Sequence, residues 1–362
     1  MFSITSKYNV KTTRYPIDDR KVVRVIGNLE RRKSMKLVTF EVNTTFGKMR
    51  RIGVQKKNEV IDVAFAFSSY LSERKNTSRA IEVSENVIGK DMLSLIQGGE
   101  YSLEAVRTSL EYIETKNKED IIGPNGEKII HAIDEVTLKA PINPLSIRDS
   151  LNCETHFLNS LKVVGLKEIP PLFYERPYYY RTSHTSVAGP EDKIPWPSFG
   201  TLLDYELEFA CIIGKEGTNI PAEKAHEYIM GYTIFNDISI RDYQGKDMST
   251  SMGPSKCKNF TNSNILGPCI VTSDELDPSD IRLQARINGE TWSDSRSTDM
   301  YYSFAQLIEF ISKEETLYPG EVICSGTMAF GCGLELNRFL KPNDVIELEV
   351  EGIGILRNQI IQ

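Results

Sequence analysis

The chain has 362 residues, 40% of them hydrophobic and 26% charged, and carries a formal net charge of −7. This composition excludes a disordered or collagen-like chain, and no apolar run reaches the roughly 18 residues that a membrane-crossing helix needs. The acidic balance argues against nucleic acid as a partner, because gripping phosphates requires a basic surface.

The charge is uneven. Residues 1–34 hold nine Lys/Arg against three Asp/Glu and lack the apolar block of a secretory signal. They read as a basic, poorly ordered extension, with an organelle-targeting segment as the other reading. The remainder reads as cytoplasmic. The six cysteines include no Cys-x-x-Cys pair, so reduced and mostly buried thiols are expected.

In chain order, 35–42 reads as a strand, followed by a turn at Phe46-Gly47 and strands at 51–54 and 60–63. Helical spacing marks 64–73 and 91–117, the latter broken at Gly98-Gly99. A polar loop at 115–127 leads to a strand near 129–139. The run Ala140-Pro141-Ile142-Asn143-Pro144 reads as a linker. We place the boundary there, between a β-rich N-terminal domain (35–140) and a larger C-terminal domain (141–362). In the latter, strands are expected at 202–213, 229–236, 281–287, 321–325 and 344–356. Helices are expected at 153–164, 221–228 and 303–313. The whole is an α+β chain.

The chemistry concentrates in Leu203-Asp204-Tyr205-Glu206-Leu207-Glu208-Phe209-Ala210. Strand alternation puts Glu206 and Glu208 on one face and Tyr205, Leu207 and Phe209 on the other. Two like charges beside a core need a cation between them, unless this is an edge strand with a solvated acidic face. A second apolar run, 229–236, ends at Asp237, with Arg241 and Gln244 four and seven residues on. Helical spacing would bring these two together, in a site or in a surface ion pair. Oxygen-only ligands point to a hard cation, Mg²⁺, Mn²⁺ or Ca²⁺. His156 is one of four histidines; taken alone, it fits a structural helix position as well as a catalytic one. Gly326, Gly331 and Gly333 permit a close turn but match no phosphate loop.

Taken together, the motifs resemble the fumarylacetoacetate hydrolase family, in order and over about 140–360. They are Arg148-Asp149 with His156 following, Asp204-Tyr205-Glu206-Leu207-Glu208, and Asn236-Asp237 through Arg241-Asp242 and Gln244. Then come Gly253-Pro254 through Lys258-Asn259-Phe260, Ser325-Gly326-Thr327 through Leu334-Glu335-Leu336, and Glu349-Val350-Glu351-Gly352-Ile353-Gly354. The resemblance implies a mixed β-sheet roll with a small N-terminal β domain, usually a homodimer. It implies Asp149, Glu206, Glu208 and Asp237 as ligands of Mg²⁺, Mn²⁺ or Ca²⁺, with no organic cofactor. His156 would be the general base, oriented by Glu335. Arg241, Gln244 and Lys258 would hold the substrate and its developing charge, and Thr327 a substrate oxygen.

Three positions depart from the family pattern. Leu151 stands where the hydrolase proper has a Tyr, and Met248 where an aromatic contact is expected. Asn159 stands where short members place the acid partner of the histidine, which leaves that part to Glu335. The implied function is metal-dependent hydrolysis of a carbon–carbon bond in a small diketo acid. An oxaloacetate-type decarboxylase or a dienoate isomerase or hydratase on the same scaffold is the alternative. A non-catalytic metal-binding β-protein is the second.

Overall fold

A computed structural model describes residues 35–45 and 47–362. The basic extension and Phe46 lie outside the described residues. The N-terminal part runs β1 (Lys36–Thr44), β2 (Gly47–Lys56), β3 (Glu59–Asp62), α1 (Val63–Lys75), α2 (Ala80–Ile88), α3 (Met92–Gln97), α4 (Gly99–Glu114), β4 (Ile130–Ala132) and β5 (Thr137–Lys139). Next come β6 (Ile147–Ser150), α5 (Glu154–Val163), α6 (Leu172–Glu175), β7 (Tyr179–Thr182), β8 (Val187–Ala188), β9 (Lys193–Pro195), β10 (Leu203–Asp204) and β11 (Leu207–Ile213). The chain continues through β12 (Ile229–Asp237), β13 (Ser239–Ile240), α7 (Arg241–Met248), β14 (Asn264–Thr272), β15 (Arg282–Ile287), β16 (Glu290–Arg296) and α8 (Phe304–Ile311). It ends with β17 (Val322–Cys324), α9 (Gly333–Leu336), β18 (Val345–Val350) and β19 (Gly354–Ile361).

Among the described residues, a 12-stranded sheet has the main order β4-β3-β2-β1-β14-β12-β11-β17-β6-β7. It is mixed: β6 pairs parallel with β17, while β11 pairs antiparallel with both β12 and β17. A five-stranded sheet runs β16-β15-β18-β19-β9, and β10 with β13 forms a short ladder. The large sheet crosses position 140, because β1 hydrogen-bonds to β14.

Both faces of the large sheet are covered, which explains the near-continuous apolar runs of its central strands. Along β11, Leu207, Phe209, Cys211 and Ile213 enter one core while Ala210 and Ile212 enter the other. The first core lies between the two sheets and takes in Leu283, Leu348 and Leu356 together with Phe304 and Leu307 of α8. The second packs α1, α3 and α4 on the opposite face through Phe67, Leu95, Val106 and Leu110. Phe209 lies edge-on to Phe304, with ring centroids 5.0 Å apart. Phe209→Ala is therefore expected to cost about 3–5 kcal/mol, read as a lower urea midpoint with an unchanged slope.

Local signals set the helix ends. Asp62 accepts from the Phe65 N–H at the start of α1, and Ser303 with Gln306 forms a capping box on α8. Several expected boundaries shift. The strand expected at 202–213 is interrupted at Tyr205-Glu206, where Glu206 bridges Cys332 instead. The strand near 129–139 splits into β4 and β5 around a 3-10 turn, and the helix expected at 221–228 is a 3-10 helix. The run 344–356 is a hairpin, β18 and β19, turning at Gly352, where φ is +82°. The six cysteines are free and buried. No helix among the described residues is long and apolar enough to cross a membrane.

Candidate active site

The strands bring four acids together. Asp149 comes from β6, Glu206 from the link between β10 and β11, Glu208 from β11, and Asp237 from the end of β12. β11 is a central strand buried along its whole length, so the solvated-edge reading of Glu206 and Glu208 does not hold. Each of the four side chains is at most about 5% exposed. Asp149, Glu206 and Asp237 each bring a carboxylate oxygen within 4.8 Å of the others; Asp149, Glu208 and the Cys324 sulfur do the same.

Cations answer part of this charge. The Lys258 ammonium lies 2.5 Å from Glu206 Oε2 and 2.6 Å from Asp237 Oδ2. Arg241, at the start of α7, donates to Asp204 Oδ2 through Nε at 2.7 Å. Its Nη1 reaches Glu206 Oε1 at 2.8 Å and Gln244 Oε1 at 2.9 Å. Burial opposes ionisation of Glu206, yet the Lys258 and Arg241 charges outweigh it and hold the carboxyl well below the usual range. The other three acids are under-compensated. Burial first, and the neighbouring acids with it, pushes Asp149 up and Glu208 and Asp237 well up.

Two buried oxygens, Oδ1 of Asp149 and Oδ1 of Asp237, have no hydrogen-bond partner among the described residues. Orphaned acceptors among crowded carboxylates, with too little positive charge, are what a hard divalent cation would satisfy. The donor set fits such an ion.

Beside the acids, His156 of α5 places Nδ1 2.8 Å from Glu335 Oε2 on α9. The other Glu335 oxygen accepts from Asn159 Nδ2 at 3.0 Å and from the Phe330 N–H at 3.0 Å. Burial opposes ionisation of Glu335, but the His156 hydrogen bond and charge help hold its pKa below the ordinary value. The His156 charge also bears on Glu206, so dyad and acid cluster share one region.

The backbone shapes this region at one tight point. Gly326 has φ +79°, and a Cβ there would stand 2.2 Å from the Ser150 carbonyl. That close approach lets the Gly326 N–H donate to Glu208 Oε2 at 3.1 Å. Thr327 Oγ1 donates to Glu208 Oε1 at 3.1 Å, so its hydroxyl is directed at this carboxylate.

Other side chains were not legible as site components. Tyr180 of β7 sits opposite Asp149 in the ladder and donates to Asp237 Oδ2 at 2.5 Å. Its place in the run Tyr178-Tyr179-Tyr180 gave no sign of which ring turns inward. Asp204 accepts from the Gly333 and Leu334 N–H groups at 2.7 and 2.9 Å and from Arg241, which ties α9 to α7. Arg148 faces away from the acids, bonding Ser146 Oγ at 2.9 Å and the carboxylates of Glu321 and Glu315. Met248 is exposed, and Glu154 accepts from the Tyr174 hydroxyl at 2.8 Å.

A mixed-sheet roll with these acids and this His–Glu pair defines a fumarylacetoacetate hydrolase-like enzyme. The chain belongs to that family: the model of the fumarylacetoacetate (FAA) hydrolase C-terminal region matches residues 147–361. Among its relatives, oxaloacetate tautomerase YisK of Bacillus subtilis is 32% identical over 244 residues, 66% of this chain and 78% of that protein. An uncharacterised protein of Methanocaldococcus jannaschii is 37% identical over 220 residues, 59% of this chain and 88% of that protein. Among solved structures, a fumarylacetoacetate hydrolase from Exiguobacterium antarcticum aligns with a TM-score of 0.65 at 27% identity. The alignment covers 91% of this chain and 99% of that one.

Proposed function

We propose that this chain is a metal-dependent hydrolase that cleaves a carbon–carbon bond in a small diketo acid of the acylpyruvate or fumarylacetoacetate kind. The observation that carries the reading is the 2.8 Å contact between His156 Nδ1 and Glu335 beside the acid cluster. Asp149, Glu206, Glu208 and Asp237 would hold the divalent ion, Mg²⁺ or Mn²⁺, with Ca²⁺ as a further candidate. When bound, the ion would polarise the substrate's oxygens and favour its enolate form.

The protein groups supply the rest. Glu335 holds the Nδ1–H of His156, which leaves Nε2 free to accept a proton from water. The water oxygen bonds to the acyl carbon. The adjacent carbon–carbon bond breaks, and its electron pair stays on the keto-acid fragment as an enolate. That fragment takes the proton back from His156, so one water is consumed and two acids leave. Lys258 and Arg241 oppose the negative charge that develops. Arg241 Nη2 has no hydrogen-bond partner among the described residues and would be available to a substrate oxygen. Gln244, bonded to Arg241 Nη1, orients that guanidinium, and Thr327 completes the oxygen-binding wall. The reading carries no organic cofactor, a homodimer, a cytoplasmic setting, and two domains, 35–140 and 141–362, that share the large sheet.

A tautomerase or other enolate-forming activity is the second reading, favoured by the name of the Bacillus subtilis relative. A panel of acylpyruvates, fumarylpyruvate and oxaloacetate, assayed with Mg²⁺ or Mn²⁺ in labelled water, separates the two. Hydrolysis puts solvent oxygen into the carboxylic acid product, and a chelator abolishes it. Interconversion of oxaloacetate tautomers without cleavage of any acylpyruvate would replace the hydrolase reading.

A further inference from the structure

The His–Glu pair has a third member that the proposed chemistry does not use. Cys332 is fully buried, and its sulfur stands 3.4 Å from Glu335 Oε2 and 3.9 Å from His156 Nδ1. With the 2.8 Å nitrogen–oxygen contact, these atoms form a small triangle. A tetrahedral zinc ion with ordinary bond lengths spaces nitrogen and oxygen by about 3.4 Å, and sulfur from either by about 3.6 Å. Every edge of the triangle is within about 0.6 Å of those values.

The donor chemistry differs from that of the acid cluster. His156, Cys332 and Glu335 offer nitrogen, sulfur and oxygen, a set that selects borderline-soft ions. Asp149, Glu206, Glu208 and Asp237 offer oxygen alone, which suits a hard ion. Among the described residues, Cys324 is the one thiol grouped with those acids, and no histidine joins it there.

We propose that His156, Cys332 and Glu335 form a second metal site that captures Zn²⁺-type ions and switches the enzyme off. Binding displaces the thiol proton of Cys332 to solvent and moves the imidazole proton from Nδ1 to Nε2. Both members of the water-activating pair are then consumed as ligands, and Nε2 no longer accepts a proton. Only this inhibitory consequence rests on the hydrolase reading; the ion binding does not.

The test uses the full chain saturated with Mg²⁺ and titrated with Co²⁺ alone. One equivalent is expected to bring up near-ultraviolet thiolate-to-cobalt absorption. Cys332→Ala should lose that band, and Cys324→Ala should keep it. A wild-type protein without the band overturns the site, as does a band that survives in Cys332→Ala. In turnover assays, Cys332→Ala should keep its basal rate and need at least about tenfold more Zn²⁺ for half-inhibition. An unchanged half-inhibiting concentration in that variant overturns the switch. If no keto acid is turned over at all, the cobalt titration still decides the site.

Discussion

His156→Ala is expected to lower turnover of the cleaved keto acid by two to four orders of magnitude, the usual contribution of a positioned general base. The loss should fall on kcat, with KM changing far less, because in the proposed mechanism the imidazole acts on water rather than on the bound acid. Glu335→Gln should fall in the same direction, since an amide can hold the ring but cannot stabilise an imidazolium as a carboxylate does. The 2.8 Å contact and the Asn159 and Phe330 donors on the other Glu335 oxygen support that coupling. Steady-state kinetics on purified variants, with circular dichroism to check folding, measure it. A His156→Ala enzyme within about threefold of wild type would remove water activation by this residue from the mechanism.

Lys258→Met is expected to destabilise the metal-free protein by about 3–5 kcal/mol. The ammonium touches both Glu206 and Asp237, is 3% exposed, and its loss leaves those carboxylates buried without it. Mg²⁺ should raise the melting temperature of this variant more than that of wild type, because the ion then supplies the positive charge that Lys258 no longer does. Thermal unfolding with and without Mg²⁺ reads both effects. Equal Mg²⁺ shifts in the two proteins would show that Lys258 and the ion do not share the same carboxylates. Activity should be lost in the variant whatever its stability.

Much of the candidate site was legible because its residue types contradict their surroundings. Glu208 interrupts an apolar strand, Glu206 sits immediately before it, and Asp237 ends another; both strands prove buried throughout. His156 and Glu335 were linked only by resemblance, since 179 residues separate them and no local pattern joins α5 to α9. The N-terminal meander and the helices flanking Gly98-Gly99 followed from periodicity. Strand β14 did not, although it lies between β1 and β12. Its Gly267-Pro268 argues against a central strand, since proline cannot donate to a ladder. The pairing with β12 shifts there: Ile234 faces Gly267 while Tyr232 faces Val271. Pro268 therefore sits in an irregularity of that pairing, where its missing N–H is tolerated. Strands β6, β7 and β16 are short or polar, and their signals lie in pairing partners distant in sequence.

The way β1 meets β14 has a practical consequence for anyone trimming the gene. Lys36 and Leu37 sit opposite Val271 and Ile270, and Leu37 and Ile270 belong to the same core. A fragment starting near 141 would present β14 with part of its backbone unsatisfied and an apolar flank newly wet. Such a border recruits other chains as readily as its own. The piece containing the proposed catalytic groups should therefore precipitate or self-associate when expressed alone, and a polar cap over β14 should restore its solubility.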